Sequence, residues 1–288
     1  MASIRELRGR IRSVGSIRQI TRAMEMVATT KLRRFQDRAT SSRPYSQEIA
    51  GLVGRLAAVL GESALERPLF RKGEGQGTAV LLVTSDRGLC GAYNSNLYRR
   101  LEVWLAERSG APVTWFVVGR KGYQYMTRRG REIERFLVEP PLEKTDYRAA
   151  ASTARLLTEA FLSGRFRDVV IVYTAFESVV RYVPTVVQLL PVEKTAAEGA
   201  DGAGDVILEP DAETIFDRLV PRYVETRVYN ALLESLTSEY ASRRVSMKNA
   251  TDAARDMGKI LKGIYNRKRQ ENITKELLDI VGGVEALR

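Results

Sequence analysis

The 288-residue chain contains no histidine and one cysteine, Cys90. Without histidine there is no Ser-His-Asp triad, no Cys-His nucleophile pair and none of the common zinc sites. A single thiol rules out a disulfide within the chain and suits a reducing compartment. Long apolar runs are missing too: the longest are of the kind AVLLV at 79–83, far below the ~20 apolar residues that span a bilayer. The Arg- and Ser-containing N-terminus reads as a mature helix, not a targeting segment, because its apolar pattern runs on unbroken. Proline is absent from 1–43 and 222–288, all nine prolines lying between Pro44 and Pro221. Two long proline-free ends around a proline-containing middle predict two long helices flanking a globular insert.

The charge follows the same division. Of a net +11, residues 1–58 hold 12 Lys and Arg against 4 Asp and Glu, and residues 214–288 hold 14 against 10. The middle is therefore near neutral. Basic surfaces fit nucleic acid, anionic lipid or an acidic protein partner, and equally a solvated helix face.

The first helix opens on Ser3-Ile4-Arg5-Glu6, a capping box in which the serine accepts from a free backbone N–H and the glutamate reaches back. Ile4, Leu7, Ile11 and Val14 follow at heptad spacing, then Ile17, Ile20, Met24 and Val27. The extra three-residue step at Ile17–Ile20 predicts a stammer. Pro44 predicts a break after Arg43, with the helix resuming through EIAGLVGRLAAVL. The last helix has a seam of Met247, Ala250, Ala254, Met257, Leu261 and Ile264. It is interrupted by NRKRQEN (266–272) and followed by a second seam of Ile273, Leu277, Ile280, Val284 and Leu287 in a new phase. Sixty-odd helical residues span roughly 90–100 Å, more than a globular core needs. The N-terminal helix wound antiparallel is the natural partner. The interruption reads either as a register slip or a solvent-exposed end, or as the point where the helix leaves that partner and meets another protein through Arg269 and Gln270.

Between the ends, buried strands are predicted at 78–85, 112–119, 168–176 and 185–192, with helices at 94–108, 121–130 and 146–163. Strand-helix alternation predicts an α/β domain with a mainly parallel sheet. EKTAAEGADGAGD (193–205) reads as a surface loop and GEGQG (73–77) as a linker. TSDRGLCGAYNSN (84–96) leaves a strand and enters a helix, where parallel sheets often bind ligands. It has neither a Walker A nor a G-x-G-x-x-G pattern. Gly88 and Gly91 fit a tight turn there, and Cys90 a small packed residue. Asp86 could serve as an acid or base but has no paired carboxylate in the pattern.

Four blocks give a resemblance along essentially the whole length: RIRSVGSIRQITRAMEMVATTKLRRFQDRA, TSDRGLCGAYNSNL, RYVETRVYNALLESLTSEYASRRVSMKNATDA and YNRKRQENITKELLDIVGGVEAL. The sequence closely resembles the gamma subunit of the F-type ATP synthase, bacterial type. Ile273, Thr274, Glu276 and Asp279 fit that family's C-terminal signature. Gly283-Val284, Ala253 and Ser246 depart mildly from it. The resemblance implies an α/β protein: a long antiparallel coiled coil of the N- and C-terminal helices plus a central Rossmann-like α/β domain. The segments would be 1–58, 59–213 and 214–288. It implies the central rotor shaft of a proton-translocating synthase, inside a ring of alpha and beta subunits, three of each. The shaft would rest on the epsilon subunit and the c-ring, peripheral on the cytoplasmic face of the bacterial membrane. No cofactor, metal or catalytic residue is implied for this chain, nor nucleic acid or a membrane span. Met24 would lie near an acidic lever of beta, and Arg269, Gln270, Thr274 and Glu276 match positions that contact the ring. The paired regulatory cysteines of plant-chloroplast members are not matched, so thiol control is not expected. A nucleic-acid-binding protein using the basic helices and a nucleotide-binding enzyme built on the α/β domain are the competing readings. Interleaved Glu25, Asp37 and Glu48 weaken the first.

Overall fold

A computed structural model describes residues 3–108, 110–193 and 209–285. The loop expected at 193–205 falls almost wholly outside the described residues, as does Leu287 of the second seam. The chain forms two compact units, one of Met1–Thr29 with Arg243–Arg288 and one of Thr30–Ser242. Two helices have segments in both: α1 (Ile4–Leu60) and α6 (Ala212–Glu285).

In the first unit the two helical segments run antiparallel. Arg8 donates to the Tyr265 hydroxyl at 3.1 Å, and the Thr251 hydroxyl donates to that of Thr21 at 2.9 Å. Between these rungs, a Cβ built on Gly258 would lie 3.9 Å from Val14. As the α1 number rises the α6 number falls in step, as antiparallel helices require. Ser3 caps α1 by accepting from the Glu6 N–H at 3.2 Å, while the Glu6 carboxylate is engaged by Arg10 at 2.6 Å.

The seams differ from expectation. On α1 the inward residues Ile4, Leu7, Ile11, Val14, Thr21 and Ala28 keep one heptad phase with no stammer, although the place between Val14 and Thr21 falls to exposed Arg18. Ile17 and Ile20 are 51% and 59% exposed. On α6, Thr251, Gly258 and Tyr265 take inward places while Met257 and Ile264 face out. Apolar type alone misassigned the register, because small or hydrogen-bonding residues occupy the contact line.

The second unit is the α/β domain with the remaining turns of α1 and α6. Its elements are a short α2 (Glu62–Leu65), β1 (Gly77–Val83), α3 (Tyr93–Glu107), β2 (Val113–Val118), α4 (Arg120–Arg128) and β3 (Ile133–Leu137), then a 3-10 turn (Leu142–Lys144), α5 (Tyr147–Leu162), β4 (Phe166–Phe176) and β5 (Tyr182–Leu190). The strand order is β3-β2-β1-β4-β5. The first three pairings are parallel and β4–β5 is an antiparallel hairpin. This is the Rossmann-like arrangement expected. β3 was not predicted: IERFL is an edge strand, half polar, paired on one side only, so its sequence lacks the apolar run of its neighbours. Val80, Leu82, Trp115, Val117, Val170 and Val172 form one sheet face, packed with Leu97 and Leu101 of α3 and Met126 of α4. Asp146 starts α5 by accepting from the Ala149 N–H at 2.9 Å. GEGQG is more than a linker: a Cβ on Gly73 would sit 2.0 Å from the Phe166 carbonyl oxygen, so only glycine lets this segment lie against the start of β4.

Neither boundary proline ends its helix. Pro44 lies inside α1 and Pro221 inside α6. Each removes a backbone donor and crowds the preceding turn, about 3 kcal/mol in a helix interior. The turns beyond Pro44 bury Ile49, Val53 and Leu56, and those before Pro221 bury Phe216 and Val220. At ~1.5–3 kcal/mol per buried side chain, tertiary packing outweighs the penalty. We expect exposed Pro44→Ala to stabilise the isolated chain by about 1–2 kcal/mol, read as a higher urea midpoint with an unchanged m-value; a lower midpoint would contradict this account of the helix.

Candidate functional site

The strand-to-helix loop after β1 was the sequence's best candidate for ligand chemistry. It begins with Thr84, whose buried hydroxyl donates to the Val118 carbonyl at 2.9 Å and accepts from the Gly122 N–H at 2.8 Å. Asp86 accepts from the Arg120 N–H at 3.1 Å and so caps α4, the role an anion would otherwise take. Asn94 donates to Ser85 at 2.7 Å and accepts from the Ser85 N–H at 3.3 Å. Cys90 is buried beside them, with Leu89 and Gly91 both at positive φ to complete the turn. Thr84, Ser85, Asp86 and Asn94 are thus engaged with one another, with β2 and with α4.

The crevice at the C-terminal ends of the strands, where doubly wound sheets hold ligands, is occupied by α6. Buried Tyr93 donates to the Ser235 carbonyl at 3.1 Å, Ser238 donates to the Thr174 carbonyl of β4 at 3.2 Å, and Ser242 donates to the Cys90 carbonyl at 2.6 Å. Burial drives the Tyr93 hydroxyl far above its ordinary pKa, so it stays a neutral hydrogen-bonding post. Among the described residues no group of three or more Cys, Asp or Glu side chains could hold a metal ion.

The sequence-assigned contact residues all lie in the first unit. Met24 is half-buried, three residues past the Thr21–Thr251 rung. Arg269, Gln270, Thr274 and Glu276 are exposed on consecutive turns of α6. Counting helical residues from Thr251, they stand roughly 27–37 Å further along α6. The structure therefore groups those four together and Met24 apart from them. The antiparallel register puts Ile4, the first residue of α1, level with Lys268, and every described side chain from Arg269 to Val281 is exposed. The seam stops at NRKRQEN because the partner helix does.

Two charged clusters in the second unit, one around buried Glu225 and one around half-buried Glu143, were not foreseen. Glu225 is 5% exposed on α6 and receives Arg155 at 3.1 Å, Arg222 at 3.2 Å and the Tyr147 hydroxyl at 3.1 Å. Glu143 joins Lys31 of α1 and accepts from the Tyr240 hydroxyl of α6 at 2.8 Å. Burial pushes the Glu143 carboxyl up; the bonds from Lys31 and Tyr240, with the charges of Lys31 and Arg87, outweigh it and hold the group below its usual range. No local pattern picked these charges out: RYVETRVYNALLESLTSEYASR carries six charged residues spread among apolar ones, with no single apolar stripe to mark which of them are buried.

A family profile described as ATP synthase matches residues 3–287. The ATP synthase gamma chain of Dehalococcoides mccartyi (strain CBDB1) is 39% identical over 287 residues, covering 100% of both chains. That of Mycobacterium tuberculosis (strain ATCC 25618 / H37Rv) is 42% identical over 303 residues, covering 99% of this chain and 98% of the relative.

The chain belongs to the ATP synthase gamma-chain family.

As a gamma chain it is a non-catalytic subunit of the synthase, which accords with a crevice filled by its own helix. Solved structures carry the same fold. A chain of the Euglena gracilis mitochondrial ATP synthase assembly of OSCP, F1 and c-ring superposes with a TM-score of 0.67 at 20% identity, covering 99% of this chain and 94% of that one. A chain of the Tetrahymena thermophila mitochondrial central stalk and c-ring gives 0.56 at 25% identity, covering 80% and 99%.

In this gamma chain a Cβ on Gly122 would meet Thr84 Oγ1 at 2.7 Å and Cγ2 at 2.8 Å. Gly122→Ala should therefore cost about 1–3 kcal/mol by overpacking, measured by denaturant unfolding. A variant as stable as the parent would mean that β1 and α4 need no such close approach.

Proposed function

We propose that this chain is the central rotor shaft of a proton-translocating F-type ATP synthase. It couples ion-driven rotation of a c-ring to sequential conformational changes at catalytic sites on beta subunits. The supporting observation is the far part of α6. From Arg269 to Val281 the helix is exposed and carries Ile273, Leu277, Leu278, Ile280 and Val281 among its polar residues. An apolar surface of that kind on one unpaired helix implies a protein surface around it. A ring of alpha and beta subunits would supply that surface. Arg269, Gln270, Thr274 and Glu276 lie on the same turns and would make the polar contacts.

Turning inside a sleeve requires that no orientation bind too tightly. Exposed Ala23 and half-buried Met24 are small or unbranched at Cβ, and methionine adapts its shape at little cost. Basic residues along α1 can meet carboxylates of the surrounding subunits without fixed apolar interlocks. The α/β domain would rest on the epsilon subunit and the c-ring. No helix among the described residues is long and apolar enough to cross a membrane; attachment at the cytoplasmic face of a bacterial membrane would be peripheral, through those partners. The division into 1–58, 59–213 and 214–288 goes with this reading, the ends as shaft and the middle as foot.

The test is assembly with cognate alpha and beta subunits, comparing ATPase activity with and without this chain. A stable head with cooperative ATPase only when the chain is present supports the shaft; failure to assemble or to alter turnover overturns it. Within the assembled, membrane-bound complex, Met24→Lys introduces a charge beside the proposed acidic lever. We expect ATP hydrolysis to continue while proton pumping per ATP falls, read by acidification-sensitive dye quenching; unchanged coupling would remove Met24 from the contact.

A further inference from the structure

We propose that the segment between β3 and α5, residues 138–146, is a torque key that locks the α/β domain to both shaft helices through Lys31, Glu143 and Tyr240. The inference rests on the rotor reading above and names the contact through which the foot would turn the shaft.

The segment is wedged between the two helices of the second unit. Its 3-10 turn buries Leu142, which lines a small void with Leu232, Leu233 and Leu236 of α6. On one side of the turn, Lys31 of α1 and the Tyr240 hydroxyl both hold the Glu143 carboxylate, and the Lys31 ammonium lies 5.6 Å from the centre of the Tyr240 ring. The Tyr240 ring in turn packs on Phe35 of α1 with centroids 5.3 Å apart. On the other side, Arg38 of α1 donates both to the Thr145 carbonyl at 2.9 Å and to the Tyr229 hydroxyl of α6 at 3.2 Å. One loop is thus gripped at two heights: by Lys31 of α1 and Tyr240 of α6 at the first, and by Arg38 of α1, itself bonded to Tyr229 of α6, at the second.

Apolar burial is itself non-directional and opposes turning about the helix axis only through the steric fit of packed side chains. A directed ion pair and hydrogen bonds at a distance from that axis do resist rotation. The position is also the right one. The covalent links from the α/β domain to the helices run through 61–76 and 191–211, next to the ends of α1 and α6. Lys31 and Tyr240 lie at the opposite limit of the unit, within two residues of its sequence boundaries at Thr30 and Ser242. A key there keeps the helices from twisting against the domain along their whole buried length.

The experiment uses the complete complex in membranes, comparing wild type with Lys31→Glu, Tyr240→Phe and the exchanged pair Lys31→Glu/Glu143→Lys. The readout is proton pumping per ATP hydrolysed under load, with circular dichroism and subunit stoichiometry confirming folding and assembly. Reversing one charge should lower the ratio about threefold or more, Tyr240→Phe less so, and the exchanged pair should recover to within about 1.5-fold of wild type, as a direct pairwise interaction requires. An unchanged ratio in both Lys31→Glu and Tyr240→Phe overturns the key, as does an exchanged pair no better than the single reversal in an assembled complex. Should Lys31→Glu fail to assemble, Tyr240→Phe, which keeps the ring on Phe35, decides the question by its ratio alone. If wild type itself does not pump, the rotor reading fails, separately from the key.

Discussion

Between Tyr223 and Ser242, helix α6 has no exposed residue, and the remainder of the second unit is arranged around that fact. α1 covers one side through Phe35, Arg38 and Ser46; the loop after β1 and the end of β4 cover another; α5 and the segment before it cover a third. A helix buried on every face inside an α/β domain takes the place where such a domain would hold a ligand. The Rossmann-like fold here is a socket, and its occupant is part of the same chain. This explains why residues with catalytic potential, Asp86 and Cys90 among them, are committed to capping a helix and filling a turn.

The burial carries an electrostatic consequence. A helix enclosed on all sides but still bearing Glu225, Glu239 and Arg243 needs partners for each charge, since an unpaired buried charge is costly. Arg155, Arg222 and Tyr147 supply them for Glu225. Such contacts fix orientation as well as position, which an apolar interface alone does poorly. A socket meant to transmit rotation requires that property, whereas one meant only to hold a helix would not.

Much of this was legible in the sequence. The strands of the central sheet announced themselves as short apolar runs, and the proline-free ends marked the long helices. What failed did so for identifiable reasons. Pro44 and Pro221 were read as boundaries because local propensity says so, while the burial of Ile49, Val53 and Phe216 that overrides it is tertiary. β3 was missed because an edge strand can be half polar. The coiled-coil register was misread because Thr21, Thr251 and Gly258 sit on the contact line while Ile17, Ile20 and Met257 sit off it. The contact residues near the C-terminus came from family resemblance; the polar grip on α6 pairs residues about 70 to 210 positions apart, which no local pattern encodes.

The central claim is that the α/β domain and the shaft helices turn as one body against a stationary head. The most direct measurement is single-molecule rotation. The assembled head is fixed to a surface and a probe attached to the exposed face of the α/β domain, through Ser95→Cys in a chain whose Cys90 is replaced by serine. Under ATP the account predicts sustained rotation in one direction, at a rate matching bulk hydrolysis. Hydrolysis at full rate with the probe stationary, or moving only by diffusion, would contradict it.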